Sequence, residues 1–450
     1  MSRIIKPIKK INGKLTLPGD QFASHLSLVL ASLSQGESVL HNLSPGKDCQ
    51  ITIQCLRDLG IDIQIDSNRA RVLGKGLSGI TPPKGVIDFD DSEITLYLVA
   101  GILSGLEGEF QLKGDVSLGE KFRQELYPPL EKMGVEVTPS KRKEAVITLK
   151  GRGLKTLNFH LNQESSLAKI SLQLTSLFAK GYTNFIQAEK TENETEKLLE
   201  LFGANLKTGY EQDPNSTEII DFRKKRKSKT QSVNYRLTIE GGKDLVPRNI
   251  DLQRDGLLAI FFACLAIFIK KSQIDLERVN AESSNFKILQ LLKNMGAEIS
   301  IKKTKEENNL STAQITALSS NTKGRKINLP ELDQSLPLLA VIAVLSQEAT
   351  IIRGLSKLRQ GKIDKLKAIY ENLRKMGVKI GELEDGLVIE GKGSLNGAEL
   401  DGKDDFSVSI GLLLASLLAE EESKMSNFEK VLDYYPNLFE LLNSVCEYYK

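Results

Sequence analysis

The sequence predicts an α/β fold made of six copies of one compact unit, and three observations carry that prediction. An apolar, helix-like stretch recurs six times along 450 residues. Five of the six units close on the same phrase, Leu-x-x-φ-Gly-φ-x-φ, where φ is apolar. The copies lie roughly seventy to ninety residues apart, well beyond the about 20–50 residues of a solenoid repeat, so six units fit best as two domains of three.

The first apolar stretch, Ser24 to Leu33, leads to the phrase Leu56 to Ile63 around Gly60. Ile94 to Leu103 leads to Leu130 to Val137 around Gly134, and Ala168 to Phe178 to Leu199 to Leu206 around Gly203. Gly256 to Ile269 leads to Leu292 to Ile299 around Gly296, and Leu336 to Leu345 to Leu373 to Ile380 around Gly377. Ile410 to Ala419 is the sixth stretch and lacks the phrase. In each phrase an amphipathic helix runs into a glycine able to take the left-handed conformation, and alternating apolar residues then start a strand.

The bulk numbers fit two domains of an ordinary globular protein. The chain has 40% hydrophobic and 26% charged residues, and 450 residues is long for a single core. A net charge of +3 is too small to imply an acidic partner for the whole surface. Cys49, Cys55, Cys264 and Cys446 show no CxxC pairing, which points to a reducing compartment. Gly256 to Ile269 is the most hydrophobic run but falls short of the ~20 residues needed to cross a bilayer, so it is expected to be a buried core helix. Met1 to Leu15 has no continuous apolar region and does not resemble a secretory signal, so the expected location is the cytoplasm. Glu211 to Ser232 is polar, with six basic residues in seven from Arg223 to Lys229. No aromatic residue is interleaved there, so a solvated loop is the expectation and nucleic acid is not the expected partner.

Leu17-Pro18-Gly19-Asp20-Gln21-Phe22-Ala23-Ser24-His25, then an apolar helix, then Gly36 to Leu43, resembles the opening of the EPSP synthase (3-phosphoshikimate 1-carboxyvinyltransferase) family, P-G-D-K-S-x-S-H-R. The resemblance continues at Gly114-Asp115-Val116-Ser117-Leu118, at Pro129-Leu130 with Met133-Gly134, at Ser165-Ser166 and at Thr195-Glu196-Lys197. It extends through Leu358-Arg359 with Asp364 to Tyr435-Pro436 with Phe439-Glu440. It implies an inside-out α/β fold of two similar domains, each of three βαβαββ units with the helices packed inside. One domain would comprise residues 1–16 and 240–450 and the other 17–239, with the active-site cleft between them. It also implies enolpyruvyl transfer from phosphoenolpyruvate to shikimate 3-phosphate, no cofactor and no metal, small phosphorylated acids as partners, and a monomer.

Both substrates are multiply anionic and the reaction passes through a tetrahedral adduct, so such a site needs fixed cations and a placed acid and base. By this resemblance the family's lysine, serine and arginine of the opening motif fall on Gln21, Phe22 and Leu26. Its G-N-x-G-T-x-x-R falls on Asp90 to Tyr97, with Asp90, Asp91 and Glu93 expected to bring repulsive negative charge to a wall that receives an anion. The catalytic aspartate falls on Gln334, with Asp333 one residue away, and the acid/base glutamate on Lys362. D-H-R reads Asp405-Phe406-Ser407, and a late lysine falls on Asp433. No catalytic residue is therefore assigned. The substrate-binding candidates that remain are Ser24, Lys121, Ser165, Ser166, Arg359, Asp364 and Lys365, although Leu167 replaces the family's glutamine. Helix capping accounts equally well for the serines, and surface lysine for Lys121 and Lys365. His25 matches a family histidine, and His41 and His160 have no metal-ligand spacing. The expected function is that of the family with enolpyruvyl transfer weakened or lost. The alternatives are an active transferase with a rearranged site using Lys121, Lys362 and Lys365, and a non-catalytic anion- or partner-binding module.

Overall fold

The computed structural model describes residues 2–140, 146–161, 166–187, 194–211, 234–305, 310–328, 335–360, 362–391 and 393–449. The chain divides into two compact units, residues 1–20 with 253–450, and residues 21–252. Strands β1 (Ser2–Ile5) and β2 (Ile8–Leu15) open the first unit.

Residues 21–252 hold three four-stranded sheets. The first repeat runs α1 (Gln21–Leu33), β3 (Gln35–His41), α2 (Lys47–Asp58), β4 (Asp62–Asp66) and β5 (Arg69–Lys75). The second runs β6 (Ile87–Asp90), α3 (Glu93–Ser104), β7 (Gly108–Gly114), α4 (Val116–Met133), β8 (Val135–Pro139) and β9 (Ile147–Gly151). The third runs β10 (Asn158–Leu161), α5 (Ser166–Phe178), β11 (Gly181–Gln187), α6 (Glu194–Leu201), β12 (Asn205–Glu211) and β13 (Asn234–Gly241). In the second and third repeats the first two strands are parallel and the last two form an antiparallel hairpin, giving the orders β6-β7-β9-β8 and β10-β11-β13-β12. The first repeat lacks its own leading strand, and β14 (Asn249–Asp251) supplies it, parallel to β3.

The remaining chain repeats the scheme. It runs α7 (Gly256–Phe268), β15 (Gln273–Asn280), α8 (Phe286–Asn294), β16 (Ile299–Lys305) and β17 (Ser311–Leu318). Then come β18 (Lys326–Asn328), α9 (Leu336–Leu345), β19 (Thr350–Arg353), α10 (Lys365–Lys375), β20 (Ile380–Leu383) and β21 (Gly386–Ile389). The last repeat is β22 (Glu399–Asp401), α11 (Phe406–Leu417), β23 (Ser423–Ser426), α12 (Glu429–Tyr434), α13 (Leu438–Val445) and β24 (Cys446–Tyr448). Strand β2 leads the first of these repeats, parallel to β15, in the order β16-β17-β15-β2-β24, and the others read β18-β19-β21-β20 and β1-β23-β22.

The six apolar stretches are helices α1, α3, α5, α7, α9 and α11, buried almost all round, so their sequences read as continuous apolar runs and not as stripes. Their close packing depends on small residues. A Cβ on Gly101 of α3 would lie 2.8 Å from the Ser171 carbonyl of α5, and one on Gly411 of α11 would lie 2.3 Å from Pro337 of α9. The glycines of the five closing phrases all have positive φ, from 80° at Gly60 and Gly377 to 102° at Gly296. Among the described residues no helix is long and apolar enough to cross a membrane, and the predicted core helix at Gly256 is α7. The four cysteines are free thiols. The basic run Arg223 to Lys229 lies outside the described residues.

Candidate functional site

In residues 21–252 the opening motif forms the start of α1. Gln21 and Phe22 are half-buried, whereas Ser24 and Leu26 are fully buried. The Ser24 hydroxyl accepts a hydrogen bond from the Ser44 amide at 2.9 Å. Leu26 belongs to the core. His25 starts a buried polar chain through three helices: its Nδ1 is 2.7 Å from Thr52 Oγ1, which is 2.7 Å from Thr95 Oγ1, itself 2.8 Å from Ser92 Oγ. Ser92 caps α3 by accepting from the Thr95 amide. His25 Nε2 is buried with no hydrogen-bond partner, and burial pushes the imidazole down to about 3.

The acidic wall is not the unbalanced charge that the sequence suggests. Lys47 Nζ lies 2.8 Å from Asp90 Oδ2 and 3.8 Å from Asp91 Oδ1, and Lys121 Nζ lies 2.7 Å from Glu93 Oε1. Each carboxylate therefore has an ammonium from α2 or α4 beside it, and the net repulsion expected from Asp90, Asp91 and Glu93 largely cancels. Tyr97 is fully buried, packs edge-to-face on Phe122 with ring centroids 5.1 Å apart, and donates its hydroxyl to Glu125 at 2.6 Å.

Ser166 opens α5 and is exposed; Ser165 lies outside the described residues. One helical turn further, Lys169 makes a 2.7 Å ion pair with Glu196 of α6, and Gln173 Nε2 donates to the same Glu196 oxygen at 3.1 Å. Both charged side chains are nearly buried, at 12% and 5% exposure. Sequence reasoning passed over this pair. The signal was available: a lysine inside the apolar stretch Ala168 to Phe178 needs a counter-charge, because a lone buried ion is costly.

In the other unit Arg359 is fully committed. Its guanidinium donates to Glu382 Oε1 at 2.6 Å, to Asp364 Oδ2 at 2.8 Å, to the Glu384 carbonyl at 2.7 Å and to the Leu383 carbonyl. Asp364 also caps α10 by accepting from the Lys367 amide at 2.9 Å. Lys365 Nζ lies 3.2 Å from Asp405 Oδ2 and donates to Ser407 Oγ at 3.1 Å. Asp405 in turn caps α11 and accepts from the Ser407 hydroxyl at 2.7 Å. Lys362 is exposed, and Asp433 is 3.9 Å from Lys430. Gln334 and Asp333 lie outside the described residues. Lys365, Asp405 and Ser407 are thus brought together, and Arg359 with Asp364 forms a second cluster that staples the loop before α10 to the β20–β21 turn.

Two α/β units that repeat a βαβαββ scheme around buried helices, with Gln21, Glu93, Ser166 and Phe406 at the starts of four of those helices, define a class of inside-out α/β proteins. The sequence profile of EPSP synthase (3-phosphoshikimate 1-carboxyvinyltransferase) matches residues 5–442, and the chain belongs to that family. It is 30% identical over 438 residues to a 3-phosphoshikimate 1-carboxyvinyltransferase of Thermoanaerobacter sp. (strain X514), covering 97% of this chain and 98% of that relative. It is also 30% identical over 451 residues to one of Sulfurihydrogenibium sp. (strain YO3AOP1), covering 99% and 100%. Among solved structures, an EPSP synthase from Acinetobacter baumannii superposes with a TM-score of 0.81 at 25% identity, over 99% of this chain and 98% of that one.

Proposed function

We propose that this chain is directed to the substrates of its family, phosphoenolpyruvate and shikimate 3-phosphate, with enolpyruvyl transfer weakened or lost. The observation that carries the reading is Lys362 at the acid/base position. The family uses a carboxyl group there to give up and take back a proton, and a lysine reverses the charge at that position and offers the site no carboxylate. The state of the remaining cations supports the same conclusion. Lys121 is held by Glu93, Lys365 by Asp405, and Arg359 by two carboxylates and two carbonyls. A lysine in place of an arginine also gives up the bidentate grip on a phosphate or carboxylate. Cytoplasmic residence and a monomeric state belong to this reading, and the free cysteines are consistent with the first.

Growth of a bacterial strain lacking its own enzyme tests the reading. Without aromatic supplements the strain is expected to stay dependent on them when it carries this chain. It should also do so with Gln21→Lys, because one restored ammonium leaves Lys362 and the other altered positions in place, and effects within one site are strongly non-additive. Normal growth with the unaltered chain would refute the reading, and rescue by Gln21→Lys alone would mean that the rest of the site is intact.

A further inference from the structure

We propose that Glu93 is an intramolecular counter-anion that occupies Lys121 and thereby lowers the affinity of this wall for external carboxylates and phosphates. The inference rests on the family reading of Lys121 as a substrate-binding position. Glu93 is the first residue of the twelve-residue helix α3. A carboxylate there is favoured by the positive end of the helix dipole and by the amides of the first turn. Its Oε1 also lies 2.7 Å from Lys121 Nζ, which reaches it from α4. The side chain therefore meets both conditions, a helix start and an ammonium, that an arriving anion would use. The neighbouring pairs of Lys47 with Asp90 and Asp91 repeat the arrangement, so the wall presents carboxylates of its own against each of these ammonium groups. An external anion must displace Glu93 from Lys121 while that like charge stays nearby. Glu93 and Lys121 are 34% and 49% exposed, so water screens the effect and its size is modest, about two- to fivefold in affinity.

The test is calorimetric titration of the full chain with phosphoenolpyruvate, and separately with inorganic phosphate, at low salt. Glu93→Gln, which keeps the shape and removes the charge, is expected to bind phosphoenolpyruvate about two- to fivefold more tightly than the unaltered chain. Adding Lys121→Met to Glu93→Gln is expected to remove that gain. Equal affinities in the unaltered chain and Glu93→Gln, including no detectable binding by either, would overturn the proposal. So would a gain that survives Lys121→Met. Rapid turnover by the unaltered chain would sink the proposal of weakened transfer yet leave this comparison standing, so the two failures are distinguishable.

Discussion

Lys169→Ala is expected to cost about 3–5 kcal/mol of folding stability, because it strands the Glu196 carboxylate in the interior. In the intact protein that carboxylate is 5% exposed and its two side-chain partners are Lys169 and Gln173. Its Oε2 has no hydrogen-bond donor, so the ammonium provides most of the compensation for burying the charge. Removing the ammonium leaves one amide donor, from Gln173, to the buried carboxylate. Lys169→Met combined with Glu196→Leu should recover most of the loss, since apolar side chains of similar volume often replace a buried pair at no net cost. Urea unfolding followed by circular dichroism reads both variants against the unaltered chain. A loss below about 1 kcal/mol for Lys169→Ala would place the pair among weak surface contacts and contradict this account.

Acidification is expected to destabilise residues 21–252 through His25. Its imidazole is fully buried and burial pushes it down to about 3, against about 6.5 in an unfolded chain. Above pH 7 both states are neutral at this residue and it contributes no pH dependence. Below 6.5 the unfolded chain binds a proton that the folded chain refuses, so stability falls progressively as pH drops toward 3. The full penalty is on the order of 5 kcal/mol, and about 2 kcal/mol of it is already present at pH 5. Carboxylates titrate in the same range, so the informative quantity is a difference. His25→Gln should lose about 2 kcal/mol less than the unaltered chain between pH 7.5 and pH 5. Equal losses in the two proteins would show that His25 accepts a proton in the folded state.

The repeating architecture was legible because each repeat states it locally. The run Leu199 to Leu206 contains a helix end, a glycine at φ 86° and the first residues of β12, all within eight positions. The strand β14 was a different matter. Asn249–Asp251 completes a sheet with Gln35–His41, and a pairing across two hundred residues leaves no local pattern to read. The site was legible as positions and much less as environments. Alignment to the family placed Leu26 and Tyr97 where arginines stand, but not that both side chains are enclosed in the core, where a restored arginine would bury a charge. Asp90, Asp91 and Glu93 read as a block of negative charge because they are adjacent in sequence, while their compensating lysines lie on helices α2 and α4. Arg359 and Asp364 read as ligands for a substrate and are found bound to each other. In each case the missing information was the long-range partner, which tertiary packing supplies and residue type does not.

The most direct measurement is phosphate release by the purified full chain given saturating phosphoenolpyruvate and shikimate 3-phosphate. On the proposed reading, which puts Lys362 at the family's acid/base position, and with Lys121, Lys365 and Arg359 held by internal carboxylates, the protein is expected to release no phosphate above the enzyme-free background. Steady turnover within the ordinary enzymatic range, about 1–10³ per second, would contradict that conclusion.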